Sequence, residues 1–593
     1  MDGKDDFGPD SAFELSQNFQ RINFLLQRLF LALSRREVRN PGVEGPGQPF
    51  FLRAAMGQAA GILSNPMKAF NTHLQFWQNT TALYAELTQA MLSGGAHHLP
   101  TEGEDARFRD EEWSKHPFFY YLKRQYQIMS AYMDSLAETA DLGDDEKHSE
   151  QIHFFTRQLV DMFSPSNFLA SNPVALRKAV ETNGRSLVEG LENLVKDMER
   201  SGGDLLVTLS DPEAFKVGET LATTKGWVVH ETPLFQLIRY EPTTEKVYSR
   251  PLLLVPPWIN KFYILDLQAK SSLVKWMTAQ GFAVYIVSWK NPTEDMRDYG
   301  LDTYVFDGVL KAIEAVNNLS GSADCNIVGY CIGGTSLAMS LAWLAKQKGD
   351  MPVRSATFFT SLTDFADPGP LKVFIDESFV AGIMVEAQKK GFLDQRIMAR
   401  TFSFLRPNDL VYGPAVKAYL LGEPRPKFDL LFWNEDSTRL PERMASEYLT
   451  HLYRDNDFAN GNFEIQGSKV SLDDIKLPHY VVACEKDHIA PWKASFKGLA
   501  RLLGGGRFVL AQSGHIAGII NHPDKKKYGY WVSDDSPVDP EAWRSGTTAH
   551  EGSWWPDWAV WLGRRSGKKI DAAAAFPPEL PRLEPAPGRY VSE

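Results

Sequence analysis

The chain has 593 residues, 43% of them hydrophobic and 23% charged, with a formal net charge of −11. That length exceeds one ordinary core and asks for about two to four domains, one of them large. The acidic balance excludes broad nucleic-acid binding, which needs a basic footprint, but leaves room for a local basic pocket.

The opening residues, MDGKDDFGPD, are acidic and carry no basic segment leading into an apolar run, so no secretory signal is read here. No stretch approaches the ~20 apolar residues of a membrane span. Phe13, Leu15, Phe19, Ile22, Leu26, Leu29 and Leu33 recur at three- and four-residue steps. They predict an amphipathic, unusually aromatic helix, with Arg35 and Arg36 in its last turn. Its apolar face serves either packing onto neighbouring helices or contact with a partner protein or an oily surface. Further helices are predicted near 53–93, 118–140, 148–163 and 173–201, with a polar loop over 94–113. The His97-His98 doublet in that loop has no partner at ligand spacing, and no metal site is expected.

The texture changes after Gly202-Gly203, so residues 1–203 read as a mainly helical domain and 204–593 as a second domain. There, short β-rich runs alternate with helical ones: a hairpin or a pair of edge strands at 227–242, a strand at 251–257, a helix over 267–280, a strand at 281–289, a helix over 303–319 and a strand at 325–330. Strands at 355–365, 479–487 and 507–515 follow. Such alternation predicts an α/β fold, a mostly parallel sheet with helices on both faces. The long interval at about 366–476, rich in aromatics, Pro and Asp, reads as a cap inserted into the sheet domain; caps cover sites and exclude water. The Ala/Pro-rich tail beyond Lys569 is predicted to lie extended over the surface.

The strand at 325–330 runs into GYCIGG, Gly329 to Gly334. A strand, a G-x-nucleophile-x-G turn and a helix make a nucleophile elbow. The turn is so sharp that Cβ atoms at Gly329 and Gly333 would meet neighbouring backbone; Gly334 completes the box. The elbow carries the Cys331 sulfur to the N-terminus of the next helix, where the helix dipole favours negative charge and the Ile332 N–H can donate to an oxyanion. In such a fold an acid and then a histidine follow, each just past a strand. Asp487 ends HYVVACEKD and His515 ends RFVLAQSGH, so Cys331, Asp487 and His515 form the expected triad. A second oxyanion donor is expected in VPPWINKFY, from the backbone N–H of Trp258 or Ile259. Cys325 and Cys484 lack this setting and read as small buried hydrophobes. Three cysteines give no disulfide framework and fit a reducing cytoplasm.

At this point the chain resembles the class I polyhydroxyalkanoate synthases of the α/β-hydrolase superfamily. The resemblance is carried by GYCIGG, VPPWINKFYILDL (255–267), SWKNP (288–292), SLTDFADPG (361–369), RPNDLV (406–411), FDLLFWNED (428–436), EKDHIAPW (485–492), SGHIAGIIN (513–521), GSWWPDW (552–558) and EPAPGRYV (584–591). SPSNFLASNP (164–173) adds to it. Two departures bear on pocket details: Tyr412, where a Trp commonly follows RPNDLV, and His522, where a second proline is frequent.

The resemblance implies an α/β-hydrolase fold with a cap, behind a helical N-terminal domain for association or granule contacts. It implies polymerisation of (R)-3-hydroxyacyl-CoA, short-chain such as 3-hydroxybutyryl-CoA, into storage polyester with release of CoA. Cys331 would carry the acyl group, His515 act as general base and Asp487 orient it, with no cofactor or metal. Cysteine suits this chemistry: exchanging one thioester for another is close to energy-neutral and keeps the chain end transferable. The resemblance also implies a homodimer in the cytoplasm at the surface of storage granules. Its partners would be the growing polyester chain and phasin-type granule proteins. His488 and Trp433 lie in shared strings and are candidates for the pocket or for local packing. Lys261, Lys290 and Arg406 are candidates for CoA phosphates or for structural charge pairs. Two other readings stand beside this one: a Cys-dependent thioesterase or hydrolase on the same fold, and a non-catalytic granule-surface protein.

Overall fold

Proline opens four helices of the first part, Pro9–Ser34, Pro66–Leu92, Pro117–Thr139 and Pro173–Glu181. Its missing N–H costs nothing in a first turn, where no intrahelical acceptor exists. The computed structural model describes residues 9–36, 48–92, 105–139, 146–375, 377–533 and 539–593; His97 and His98 lie outside them. The predicted helix over 53–93 is two, Gln48–Ser64 and Pro66–Leu92, that over 173–201 is Pro173–Glu181 and Arg185–Arg200, and Glu146–Met162 falls where 148–163 predicted one. The chain divides into two compact units, Met1–Asp211 with Ala399–Pro426, and Pro212–Met398 with Lys427–Glu593.

In the first unit, helix Pro9–Ser34 sets Ile22, Leu25 and Leu29 against Val188, Leu191 and Val195 of helix Arg185–Arg200. Arg28 forks Glu199 at 2.9 and 2.6 Å, and Arg21 pairs with Glu192 on the same seam. The buried stripe is therefore narrower than the periodicity suggested. Phe19, Leu26 and Leu33 are exposed, as are Phe24 and Phe30, and the side chains of Phe13 and Leu15 lie outside the described ones.

Part of the expected cap, Ala399–Pro426, belongs to this helical unit. Helix Arg185–Arg200 meets it so closely that a Cβ at Gly190 would lie 2.0 Å from the Tyr419 carbonyl oxygen. Buried Asp197 gathers the Tyr419 hydroxyl at 2.6 Å, the Thr208 hydroxyl at 2.6 Å and the Arg425 guanidinium. Arg400 pairs with Asp204 at 3.2 Å, and Arg107 reaches both Asp161 and Asn408, at 3.1 and 3.3 Å. Asp197→Ala leaves a buried guanidinium and two hydroxyls without their common acceptor. It should cost about 3–5 kcal/mol, read as an early unfolding transition in urea; an unshifted transition would contradict this account of the segment. Deleting residues 1–200 would remove Asp197 and Arg107, the partners of Tyr419, Arg425 and Asn408, while Asp204 stays to pair with Arg400.

The second unit is built on eleven strands: β1 Gly226–Glu231, β2 Phe235–Tyr240, β3 Leu252–Val255, β4 Val284–Trp289, β5 Cys325–Tyr330, β6 Val353–Phe359, β7 His479–Cys484, β8 Gly506–Ala511, β9 Gly529–Ser533, β10 Thr548–Glu551 and β11 Glu584–Pro585. Their spatial order is β10-β9-β8-β7-β6-β5-β3-β4-β2-β1-β11. Strands β3 to β8 are parallel, and the outer ones antiparallel. The β-branched and aromatic runs that predicted β3, β4, β5 and β7 are buried from end to end, as a sheet covered on both faces requires. The sequence order reverses at β3, between β4 and β5, and this is where α/β sheets open a crevice at their carboxyl ends.

Two expectations need correction. The helix over 267–280 is only Leu273–Ala279, because the Ser272 hydroxyl caps it by accepting from Lys275 N–H. The tail lies over the surface for most of its length but is pinned at three places. Lys569–Asp571 pairs with Lys246–Tyr248, β11 extends the sheet edge beside β1, and Tyr590 and Val591 are buried.

Candidate active site

Cys331 stands between β5 and helix Ile332–Ala345 with φ 54° and ψ −125°, a conformation that side chains rarely adopt. Three close approaches hold it there. A Cβ at Gly329 would lie 2.4 Å from the Gly334 Cα, one at Gly333 2.5 Å from the Val255 carbonyl oxygen, and one at Gly334 1.9 Å from the Ser361 Oγ. The Cys331 N–H donates to the Phe359 carbonyl at 2.9 Å, tying the turn to the end of β6. Ile332 N–H is the first of the elbow helix.

Asp487 and His515 come from the carboxyl ends of the neighbouring strands β7 and β8. Asp487 is fixed from both sides: Oδ1 accepts from the Ile489 and Ala490 N–H groups at 2.9 Å each, and Oδ2 accepts from His515 Nδ1 at 2.7 Å. The Cys331 sulfur lies within electrostatic reach of the same imidazole. His515 is buried, and burial alone would lower its proton affinity. The Asp487 carboxylate and the Cys331 sulfur outweigh that and push its pKa up to about 10. The loop after His515 is held by GSWWPDW, where Trp554 and Trp555 donate their indole N–H to the carbonyls of Gly518 and Ile519 at 2.9 and 2.8 Å.

The loop carrying Trp258 and Ile259 leaves β3, whose Val255 is in register with Gly329 of β5. The loop is clamped from the FDLLFWNED string and the residues just after it. Trp433 donates its indole N–H to the Lys261 carbonyl at 2.7 Å, and the Thr438 hydroxyl donates to the Trp258 carbonyl at 2.6 Å. The polar edge of Trp433 thus serves the loop backbone. His488 is half-buried beside Asp487. Lys261 is engaged by Asp436 at 2.9 Å, Lys290 lies near Glu593, and Arg406 pairs with Asp409, so none of the three is uncommitted. Burial pushes the thiols of Cys325 and Cys484 up, which keeps them as inert packing groups.

Two residues escaped the sequence reading. Tyr448 and Tyr453 sit on the turns Tyr448–Arg454 of the cap region, and the Tyr448 hydroxyl donates to that of Tyr453 at 3.3 Å. Burial pushes both phenols up, and charge at Cys331 pushes the same way, so both are within its electrostatic reach. Their only sequence signal is an aromatic pair in EYLTHLYRDN, which lacks sheet periodicity. Among the described residues, His451, Asp455 and Asp457 are near enough together to hold an ion, but His451 is bonded to Asp457 at 2.7 Å and Arg454 forks Asp455. No described helix is long and apolar enough to cross a membrane.

The chain matches two family models: "Poly-beta-hydroxybutyrate polymerase (PhaC) N-terminus" over residues 104–277 and "alpha/beta hydrolase fold" over residues 251–521. It is 40% identical over 534 residues to a poly(3-hydroxyalkanoate) polymerase of Methylorubrum extorquens, covering 89% of this chain and 87% of that one. It is 40% identical over 541 residues to a poly(3-hydroxyalkanoate) polymerase subunit of Cupriavidus necator, covering 90% of each. A solved monoacylglycerol lipase from Paleococcus ferrophilus is similar to 56% of this chain and 99% of its own, at 12% identity and TM-score 0.31.

Proposed function

The chain belongs to the poly(3-hydroxyalkanoate) polymerase family, and from that premise we propose that it polymerises (R)-3-hydroxyacyl-CoA, of short chain such as 3-hydroxybutyryl-CoA, through a thioester on Cys331. The observation that carries the site assignment is the His515 imidazole, bonded to Asp487 and within electrostatic reach of the Cys331 sulfur at the elbow. In the first half-reaction the Cys331 sulfur attacks the thioester carbonyl carbon, the bond to the CoA sulfur breaks, and that sulfur leaves with the proton of His515. The acylated sulfur carries no charge, so one of the groups that hold the proton on His515 is gone. The imidazole can then take the proton of the next 3-hydroxyl, whose oxygen attacks the Cys331 thioester. The carbon–sulfur bond breaks, the sulfur leaves as an anion beside the imidazolium, and the starting pair is restored. The Ile332 N–H, with Trp258 or Ile259 as a second donor, supports the oxyanion at each attack. No prosthetic group or metal is needed.

The exposed Phe19, Phe24 and Phe30 of helix Pro9–Ser34 support a place at an oily surface, in this reading that of a cytoplasmic storage granule. The same face suits a phasin-type protein or the partner of a homodimer. Incubation with (R)-3-hydroxybutyryl-CoA should release CoA and deposit polymer that sediments with the protein bound. Release of CoA into soluble 3-hydroxybutyrate, with the protein left in solution, would instead mark a thioesterase.

A further inference from the structure

The loop that follows β6 lies against the elbow. The Thr335 hydroxyl, in the first turn of the elbow helix, donates to the Leu362 carbonyl at 2.6 Å, and Ser361 fills the space left by Gly334. One cap residue fastens the Tyr448–Arg454 turns to this loop. Asn456 accepts from the Phe365 N–H and donates to Asp364 Oδ1, each at 2.8 Å. Next to it the Tyr453 ring stands edge-on to Phe365 at 4.9 Å, and Tyr448 stands edge-on to Tyr453 at 5.0 Å. The two phenols are therefore held, by packing and by two hydrogen bonds of Asn456, against the same loop that packs on the elbow.

Their hydrogen bond has a direction. Tyr448 is the donor and Tyr453 the acceptor, so the Tyr453 hydroxyl keeps its own proton to donate. Burial keeps both phenols protonated, and a neutral phenol beside a reacting sulfur is a hydrogen-bond donor rather than a base. The family substrate differs from an ordinary acyl thioester by one oxygen, on carbon 3 of the acyl unit. A buried donor left without a partner when that oxygen is missing discriminates strongly against the deoxy analogue.

The geometry points to Tyr453 as the residue that selects 3-hydroxyacyl over plain acyl thioesters, by donating its phenolic hydrogen to the 3-oxygen of the unit being loaded on Cys331, with Tyr448 orienting it. This rests on Cys331 being the acyl carrier. Loading is the same group transfer for both thioesters: a carbon–sulfur bond forms at Cys331, the bond to CoA breaks, and CoA leaves with a proton.

The test is single-turnover loading of the full chain by (R)-3-hydroxybutyryl-CoA and by butyryl-CoA, read as CoA release and as mass added at Cys331. Tyr453→Phe should slow loading by the hydroxylated substrate roughly 10- to 100-fold and should not slow loading by butyryl-CoA, which no longer leaves a buried donor unpaired. Tyr448→Phe should give a smaller loss of the same selectivity. Equal losses on both thioesters would mean a merely structural role, and no loss on either would remove the selecting contact; both overturn the inference while the Cys331 reading stands. Absence of mass at Cys331 in the unsubstituted protein overturns that reading and the inference with it.

Discussion

Cys331→Ala should abolish polymer formation, lowering turnover by about 10⁴- to 10⁶-fold. The loss should be complete because every acyl transfer passes through that sulfur. Neighbouring groups offer no substitute. Cys325 and Cys484 are buried, and burial pushes their thiols up. Cys331→Ser should also fall by several orders of magnitude, because a serine hydroxyl must lose its proton during attack and its ester is a weaker acyl donor. Alanine is small enough for the strained position, so the fold should survive, with circular dichroism and unfolding midpoint close to the unsubstituted protein. The check is CoA release and polymer mass measured together in purified protein. Polymer made by Cys331→Ala with no other synthase present would remove the catalytic assignment of that sulfur.

Asp487→Asn is expected to be nearly as severe, about 10³- to 10⁴-fold in turnover. The amide fits the same space, but its NH₂ cannot accept the His515 Nδ1 proton, and the charge that favours the imidazolium is gone. The pH profile should change in a direction set by the same interactions. With Asp487 and Cys331 raising the pKa to about 10, His515 keeps its proton through neutral pH and yields it only as pH rises through that value. The limb of the CoA-release profile that needs an acid for the leaving group should therefore fall near pH 10, and should move to lower pH in Asp487→Asn. Stability follows the same linkage. A histidine whose folded pKa is raised above the unfolded value of about 6.5 stabilises the fold fully below that pH. The stabilisation is lost as pH rises through about 10. Asp487→Asn should flatten that part of the stability curve. An alkaline limb at the same pH in both proteins would contradict the assigned source of the shift.

The elbow was legible because its signal is steric and local. Gly329, Gly333 and Gly334 each face backbone or a side chain within 2.5 Å of where a Cβ would be, and no other residue could stand there. The inner strands were legible because both faces are covered, which makes each one a continuous apolar run. Asp487 and His515 followed from chain order at strand ends. What stayed hidden depends on partners far away in sequence. Asp197 meets Tyr419 and Arg425 across more than two hundred residues, and nothing near position 197 or 419 announces it, so Ala399–Pro426 read as cap alone. The stripe on helix Pro9–Ser34 was drawn too wide because Phe19 and Leu26 share its period while facing outward. The edge strand at Glu584–Pro585 is two residues long and contains a proline, which argues locally against any strand. Tyr448 and Tyr453 sit in a cap region without regular periodicity, where an aromatic pair could as well be core.

The most direct test of the account is the mass of the protein quenched within its first turnovers on (R)-3-hydroxybutyryl-CoA, followed by peptide mapping. The prediction is an adduct of whole 3-hydroxybutyryl units on the peptide that contains Cys331, absent from Cys331→Ala. Units carried on a different residue, or CoA released with no covalent adduct at any time, would contradict it.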